Sequence, residues 1–212
     1  MLKGQSFRKE YMHGAVHDFI VVHTVKEGKE YPSAEEQFGG PVKNYITYDF
    51  PELQEQPIYK KMLDIGSLDI CGSVAAYNFI NRRKPWREII GNPEIIGIDI
   101  MGGNGVDQIM DAHNLQFPDE SFDLVTCCNM LEHDTDTKKT IKEAYRVLQK
   151  GGTFILTTVN QDWGEHKHLG GGETEVYNHI TKAQLTKWLK DGGFKKAEVL
   201  EWNKNLMVFV KK

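Results

Sequence analysis

No stretch of the 212 residues approaches the roughly 18 consecutive apolar residues of a membrane-spanning helix. The opening MLKGQSFRKEYMHG likewise lacks the apolar core of a secretory leader. Cysteine is scarce: of three, Cys127 and Cys128 are adjacent in an apolar run and Cys71 stands apart, which argues against a disulfide framework and against a four-cysteine zinc site. Positive charge is not in excess, since 26 Lys and Arg face 30 Asp and Glu for a net charge of −4. A free-standing nucleic-acid binder would show a basic stripe, and here there are only local basic clusters such as Asn81-Arg82-Arg83-Lys84, which could still touch phosphate. Repeats and low-complexity tracts are absent too. What remains, at 40% apolar and 26% charged residues, is one globular domain with embellishments and reduced thiols, expected in the cytoplasm and off the membrane.

Within that chain, residues 60–73, KKMLDIGSLDICGS, join an apolar run, an acid and a loop of small residues with two glycines. Such an order describes a buried parallel strand opening into a tight turn, the place where doubly wound sheets bind nucleotides. Asp64, Gly66 and Ser67 fall where strand becomes loop, and Gly72 opens a helix whose apolar face carries Val74, Tyr77 and Phe79 or Ile80. The partial positive charge at that helix start favours a ligand carboxylate. A second apolar run, IIGIDI, ends in Asp99 and Ile100. A carboxylate at that strand end accepts hydrogen bonds from both hydroxyls of a ribose.

A dinucleotide fingerprint needs a third glycine and a pyrophosphate at the helix start. Here only Gly66 and Gly72 stand, and Asp69 between them would repel phosphate, which counts against an NAD-dependent oxidoreductase. Asp111 and Asp123 add further negative charge. A nucleoside with an amino group and a positive centre suits such acids better than a phosphorylated one, and S-adenosylmethionine is such a ligand.

In order and spacing the chain resembles the class I S-adenosylmethionine-dependent methyltransferases, and within them the type-11 group. MLDIGSLDICGS resembles their first motif, IIGIDI their second, DAHNLQFPDESFDLVTCCNMLEH their adenine-binding turn and fourth strand, and RVLQKGGTFILTTVN the following helix end and fifth strand. The likeness covers roughly residues 60–160, and the first loop departs from it in having fewer glycines. It implies an α/β fold, a doubly wound, Rossmann-like, mostly parallel seven-stranded sheet with helices on both faces and a C-terminal antiparallel hairpin. It also implies adenine recognition at Asp111 and Ala112. A carboxylate there can accept from the exocyclic amine while a backbone amide donates to a ring nitrogen; alternatively Asp111 caps the turn that follows.

The remaining segments fit this frame. HDFIVVHTV, within residues 1–55, reads as a short strand, and the N-terminal segment is expected to act as a lid or substrate wall, or to pack on the flank, beside a methyltransferase domain at 56–212. The glycines of IMGGNG either allow close approach to a flat ligand or make a plain glycine-rich connection, and VDQIMD reads as a strand ending at Asp111. SFDLVTCCNM reads as a strand buried on both faces, with Asp123 anchoring its own start and Asn129 emerging into the crevice. The next helix is expected to be capped by Asp134 or Thr135, to carry Ile141, Ala144, Tyr145 and Leu148 on one apolar face, and to stop at Lys-Gly-Gly. ITKAQLTKWLKDGGF makes another helix, and the last strands make a hairpin around Asn203-Lys204-Asn205.

His133, following the fourth strand into the crevice, is the candidate catalytic base, with a helix-capping histidine as the alternative. His166, His168 and His179 rank behind it, and His166-Lys-His168 with Glu165 offers ligands to a divalent metal without specifying a site. The expected activity is methyl transfer to oxygen or nitrogen of a small molecule, such as a sugar or other polar metabolite. The alternatives are a non-catalytic S-adenosylmethionine-binding partner protein and a methyltransferase acting on protein or nucleic acid.

Overall fold

The computed structural model describes residues 4–8, 45–48, 59–68, 93–162, 176–202 and 204–212. Two short strands, β1 (Gly4–Arg8) and β2 (Tyr45–Tyr48), pair antiparallel in a sheet of their own. The expected strand at HDFIVVHTV and the expected helix after Gly72 lie outside the described residues.

The main sheet has seven strands: β3 (Lys61–Ile65), β4 (Glu94–Asp99), β5 (Gln108–Ile109), β6 (Phe122–Cys128), β7 (Leu148–Val159), β8 (Val199–Trp202) and β9 (Asn205–Lys211). Their order is β5-β4-β3-β6-β7-β9-β8; β9 alone runs antiparallel to its neighbours, so the sheet is doubly wound and mostly parallel with a C-terminal hairpin. The order reverses between β3 and β6, whose register sets Asp64 beside Thr126 and Ile65 beside Cys127. Crevices outside the carboxyl ends of such strands are where this architecture takes ligands.

Side chains alternate across the sheet, so Leu63, Ile65, Ile98, Val125, Cys127, Phe154 and Leu156 share one face. Onto that face pack α1 (Thr137–Val147), through Ile141, Ala144 and Val147, and α2 (Lys182–Asp191), through Leu185 and Leu189. Ile141, Val147, Leu185 and Leu189 each contribute roughly 1.5–3 kcal/mol by leaving water. α2 begins with a reciprocal cap, in which the Thr181 hydroxyl accepts from the Gln184 amide and the Gln184 side chain accepts from the Thr181 amide.

Several boundaries differ from the sequence reading. The cap of α1 is Asp136, which accepts from the Lys139 amide, because Leu131–His133 first form a tight 3-10 turn and Asp134 lies extended behind it. The Asp134 carboxylate instead accepts from the Asp136 amide. At its other end the helix stops at Val147 and passes straight into β7. The Gln149-Lys-Gly-Gly152 segment forms an irregularity in the β6–β7 register rather than the helix's last turn. The third strand of the domain shrinks to Gln108–Ile109, two residues short of Asp111, since it is an edge strand with only two pairings to β4. Asp123 does anchor a strand start, but that of its neighbour: its two carboxylate oxygens accept from the Lys60 and Lys61 amides at 2.7 and 2.8 Å.

The turn after β5 is fastened to α1. The Arg146 guanidinium donates to the carbonyls of Leu115 and Phe117 and to Glu143 and Asp119, each at 2.7–2.8 Å, and Glu143 also accepts from the Leu115 amide. Fork-shaped donors of this kind fix direction as well as distance. Among the described residues no helix is long and apolar enough to cross a membrane.

Candidate active site

The first loop leaves β3 through Gly66, whose φ of 76° lies in the left-handed region. The amides of Gly66 and Ser67 both donate to the Ile98 carbonyl, at 2.9 and 3.0 Å, which holds the turn across the end of β4. A side chain at Gly66 would meet Met130 Cβ and Cγ at 2.7 Å, so the ends of β3 and β6 touch here.

Asp99 ends β4 with its carboxylate already aimed. One oxygen accepts from the Leu68 amide of the first loop (3.3 Å), the other from the Met101 amide (3.0 Å). Each carboxylate oxygen has a second lone-pair direction left for a ligand hydroxyl. Around it lie the large apolar side chains that stand out of the sheet: Ile100 is 71% exposed, Met101 45% and Ile109 70%. Exposed aliphatic residues beside an oriented carboxylate are what the flat face of a purine and its ribose require.

Asp111 begins the next turn. Its carbonyl accepts from the Asn114 amide, and its Oδ1 accepts from the His113 amide at 2.8 Å and lies 3.1 Å from His113 Nδ1. The turn-capping role is therefore present, and the carboxylate nonetheless stays at the surface with its side chain 53% exposed. Ala112, behind it, packs against the core. Asp64 is placed differently: it is 1% exposed, one residue inside β3, and accepts from the Thr126 hydroxyl of β6. It lines up with Gly97, two residues before Asp99, on the same sheet face, so it stands beneath the crevice rather than at its rim.

Two polar atoms at the strand ends, Ser67 Oγ and Asn129 Nδ2, are buried without a hydrogen-bond partner among the described residues. Asn129 also sits at a φ of 50°, which a non-glycine residue adopts at some cost. Buried orphans of this kind cost about 1–3 kcal/mol each until something satisfies them. A ligand carrying an amino-acid tail brings both donors and acceptors to that point, so the residues present fit an S-adenosylmethionine-shaped group. Gly72 lies outside the described residues.

On the acceptor side, His133 ends the 3-10 turn, its amide donating to the Met130 carbonyl. Its ring packs edge-on against Tyr177 (5.5 Å between centroids), and Tyr177 packs edge-on against His179 (5.4 Å). Three ring side chains from two segments thus stand together. Asn178 fastens those segments, its side-chain amide donating to the carbonyls of Leu131 and Asp134 and its backbone amide to that of Glu132. His166 and His168 lie outside the described residues, and among the described ones no group of three His, Cys, Asp or Glu converges as a metal site.

The sequence reading passed over Glu132, which is fully buried, accepts from the Thr158 hydroxyl at 2.7 Å, and has its carboxyl pushed up to about 7 by burial. For an acid raised in the fold, the stabilising contribution is complete below the unfolded value near 4.5 and is lost as pH rises through about 7. Since each pH unit between those two values is worth about 1.4 kcal/mol, parent stability should fall by roughly 3 kcal/mol between pH 4.5 and 8 on account of this group. Glu132→Gln, isosteric with the protonated acid, should remove that part of the slope in urea unfolding. An unchanged slope would mean that Glu132 ionises freely.

Residues 93–156 match the model of a methyltransferase domain family. A ubiquinone biosynthesis O-methyltransferase of Coxiella burnetii is 25% identical over 103 residues, 43% of this chain and 44% of that protein. One of Pseudomonas putida is 28% identical over 92 residues, 38% of this chain and 40% of that protein. Both matches therefore span less than half of the relative's own length. Among solved structures, an S-adenosylmethionine-dependent methyltransferase from Mesorhizobium loti superposes with a TM-score of 0.53 at 18% identity, covering 74% of this chain and 92% of that one. One from Methanosarcina mazei gives 0.51 at 18% identity, covering 77% and 97%.

The strand order of the main sheet is similar to that of the class I S-adenosylmethionine-dependent methyltransferase fold, and residues 93–156 carry the match to the methyltransferase domain family. The cofactor of that class is S-adenosylmethionine.

Proposed function

We propose that this chain transfers a methyl group from S-adenosylmethionine to an oxygen or nitrogen of a small polar molecule, oxygen being favoured by the O-methyltransferase names of its relatives. The observation that carries the reading is Asp99, aimed by the Leu68 and Met101 amides and flanked by exposed Ile100, Met101 and Ile109. The bound sulfonium supplies a methyl group that is already electrophilic, so the protein's task is chiefly to hold and orient.

In this reading Asp99 accepts from the ribose hydroxyls, and Ile100 covers the purine. Asp111 accepts from the exocyclic amine, and the Ala112 amide donates to a ring nitrogen. Gly66, Ser67, Gly72 and Asn129 serve the amino-acid tail. Asp64 supports the loop from below through Thr126. His133 takes the acceptor's proton, and its packing on Tyr177 sets the ring's direction. Residues 1–55, whose strands β1 and β2 pair with each other and with no main-sheet strand among the described residues, form a substrate wall apart from the catalytic domain at 56–212.

Titration calorimetry with S-adenosylmethionine and S-adenosylhomocysteine tests the cofactor assignment, and labelled-methyl incorporation into fractionated extracts tests the acceptor class. Absence of binding at millimolar concentration would remove the proposal. His133→Ala should bind S-adenosylhomocysteine as the parent does and lose about 100-fold or more in turnover; turnover at the parental rate would exclude the base role.

A further inference from the structure

Outside the groups already assigned, one side chain joins the two halves of the crevice. His113 lies between two carboxylates, with Nδ1 3.1 Å from Asp111 Oδ1 and Nε2 2.6 Å from Asp134 Oδ1. Asp111 belongs to the turn after β5, whereas Asp134 directly follows the 3-10 turn that carries His133. The contact to Asp111 is local to its turn, whereas the contact to Asp134 is not expected from sequence spacing, since 21 residues separate it from His113.

The two carboxylates differ in a way that gives the bridge a direction. Asp134 is buried, with a side chain only 4% exposed; its Oδ1 takes the His113 ring at 2.6 Å and the Asp136 amide at 3.2 Å, and its Oδ2 has no hydrogen-bond partner among the described residues. Asp111 is the exposed partner at 53%, and an exposed carboxylate free to turn samples several rotamers. Here the His113 amide donates to Oδ1 at 2.8 Å and the ring's Nδ1 lies 3.1 Å from the same oxygen, so both contacts act on one side of the carboxylate and neither is to Oδ2.

We infer that His113 is a positioning residue for cofactor binding: anchored on buried Asp134, it holds the Asp111 carboxylate in the orientation that receives the adenine amine, tying the adenine turn to the segment that carries His133. The inference rests on the proposed cofactor reading, and its two contacts can be separated. His113→Gln keeps a donor where Nε2 stands and loses the one near Asp111, while His113→Asn does the reverse.

S-adenosylhomocysteine affinity by calorimetry and the ligand-free melting temperature provide independent readouts. The Gln variant should melt close to the parent and bind about tenfold more weakly, the equivalent of one lost hydrogen bond to a charged group. The Asn variant should melt lower and, once folded, bind close to the parent. In a double-mutant cycle, Asp111→Ala with His113→Gln should lose no more affinity than Asp111→Ala alone. Parental affinity in the Gln variant, or losses in affinity and stability that move together in both variants, would overturn the inference. A parent chain that does not bind S-adenosylhomocysteine would overturn it together with the reading it rests on.

Discussion

Asp99→Ala is expected to weaken S-adenosylhomocysteine binding by at least about 100-fold. Two hydrogen bonds from ribose hydroxyls to a carboxylate are worth roughly 1.5–3 kcal/mol each, which converts to two orders of magnitude or more. The substitution also releases the Leu68 and Met101 amides from their acceptor, so the first loop loses one of its links to the end of β4 and keeps those of Gly66 and Ser67 to the Ile98 carbonyl. Asp99→Asn separates the two effects. It keeps a carbonyl acceptor for one amide and for one hydroxyl while removing the charge, and should bind about tenfold more tightly than the alanine variant. Affinity for the product measured by calorimetry decides the matter; parental affinity in Asp99→Ala would place the ribose elsewhere and remove the keystone of the cofactor assignment.

The second large effect is expected at Gly66, and it is best read against Gly151. Both sit at nearly the same left-handed dihedral, φ 76° and 78°. A Cβ at Gly151 meets nothing within 4 Å, whereas one at Gly66 meets Met130 Cβ and Cγ at 2.7 Å. Gly151→Ala should therefore lose only the backbone term, about 1–2 kcal/mol. Gly66→Ala should lose that and a further 1–3 kcal/mol or so from forcing apart the ends of β3 and β6. The difference in urea midpoints, converted through a common m-value, measures the clash alone. Because Met130 is joined to Asn129 and precedes the His133 turn, Gly66→Ala should also bind S-adenosylhomocysteine more weakly than its stability loss explains. Equal destabilisation at the two glycines would show that the strand ends can part without penalty.

The two expectations have a common origin in the reversal of strand order. β3 and β6 are adjacent although 57 residues of sequence separate Ile65 from Phe122. Everything that emerges from their carboxyl ends, Gly66 and Ser67 from one and Asn129 to His133 from the other, must share one crevice. β4 contributes Asp99 from the opposite side of β3. A cofactor lying across three strand ends touches short loops whose positions are set by buried strands, which is why point substitutions there should act on affinity before they act on folding.

Much of this was written in the sequence itself. Buried parallel strands need near-continuous apolar runs, and KMLDI, EIIGID and FDLVTCC show them without help from context. An acid at the close of such a run has one place to go, the strand end, so Asp99 could be assigned before any coordinate. The amphipathic period of α1 and the turn at Lys204 were equally local signals. Only the tertiary structure decided what those residues meet. Asp64 is one residue too deep to reach the rim and bonds to Thr126, 62 residues away; Asn178 closes the turn at Leu131 from 47 residues on; His113 finds Asp134 across 21. Glu132, which reads as one more surface acid beside His133, is buried under Thr158. Periodicity and capping are written in neighbours within a few residues, whereas a carboxylate's partner and its burial depend on which strands lie side by side, and that is set by the packing of the whole sheet.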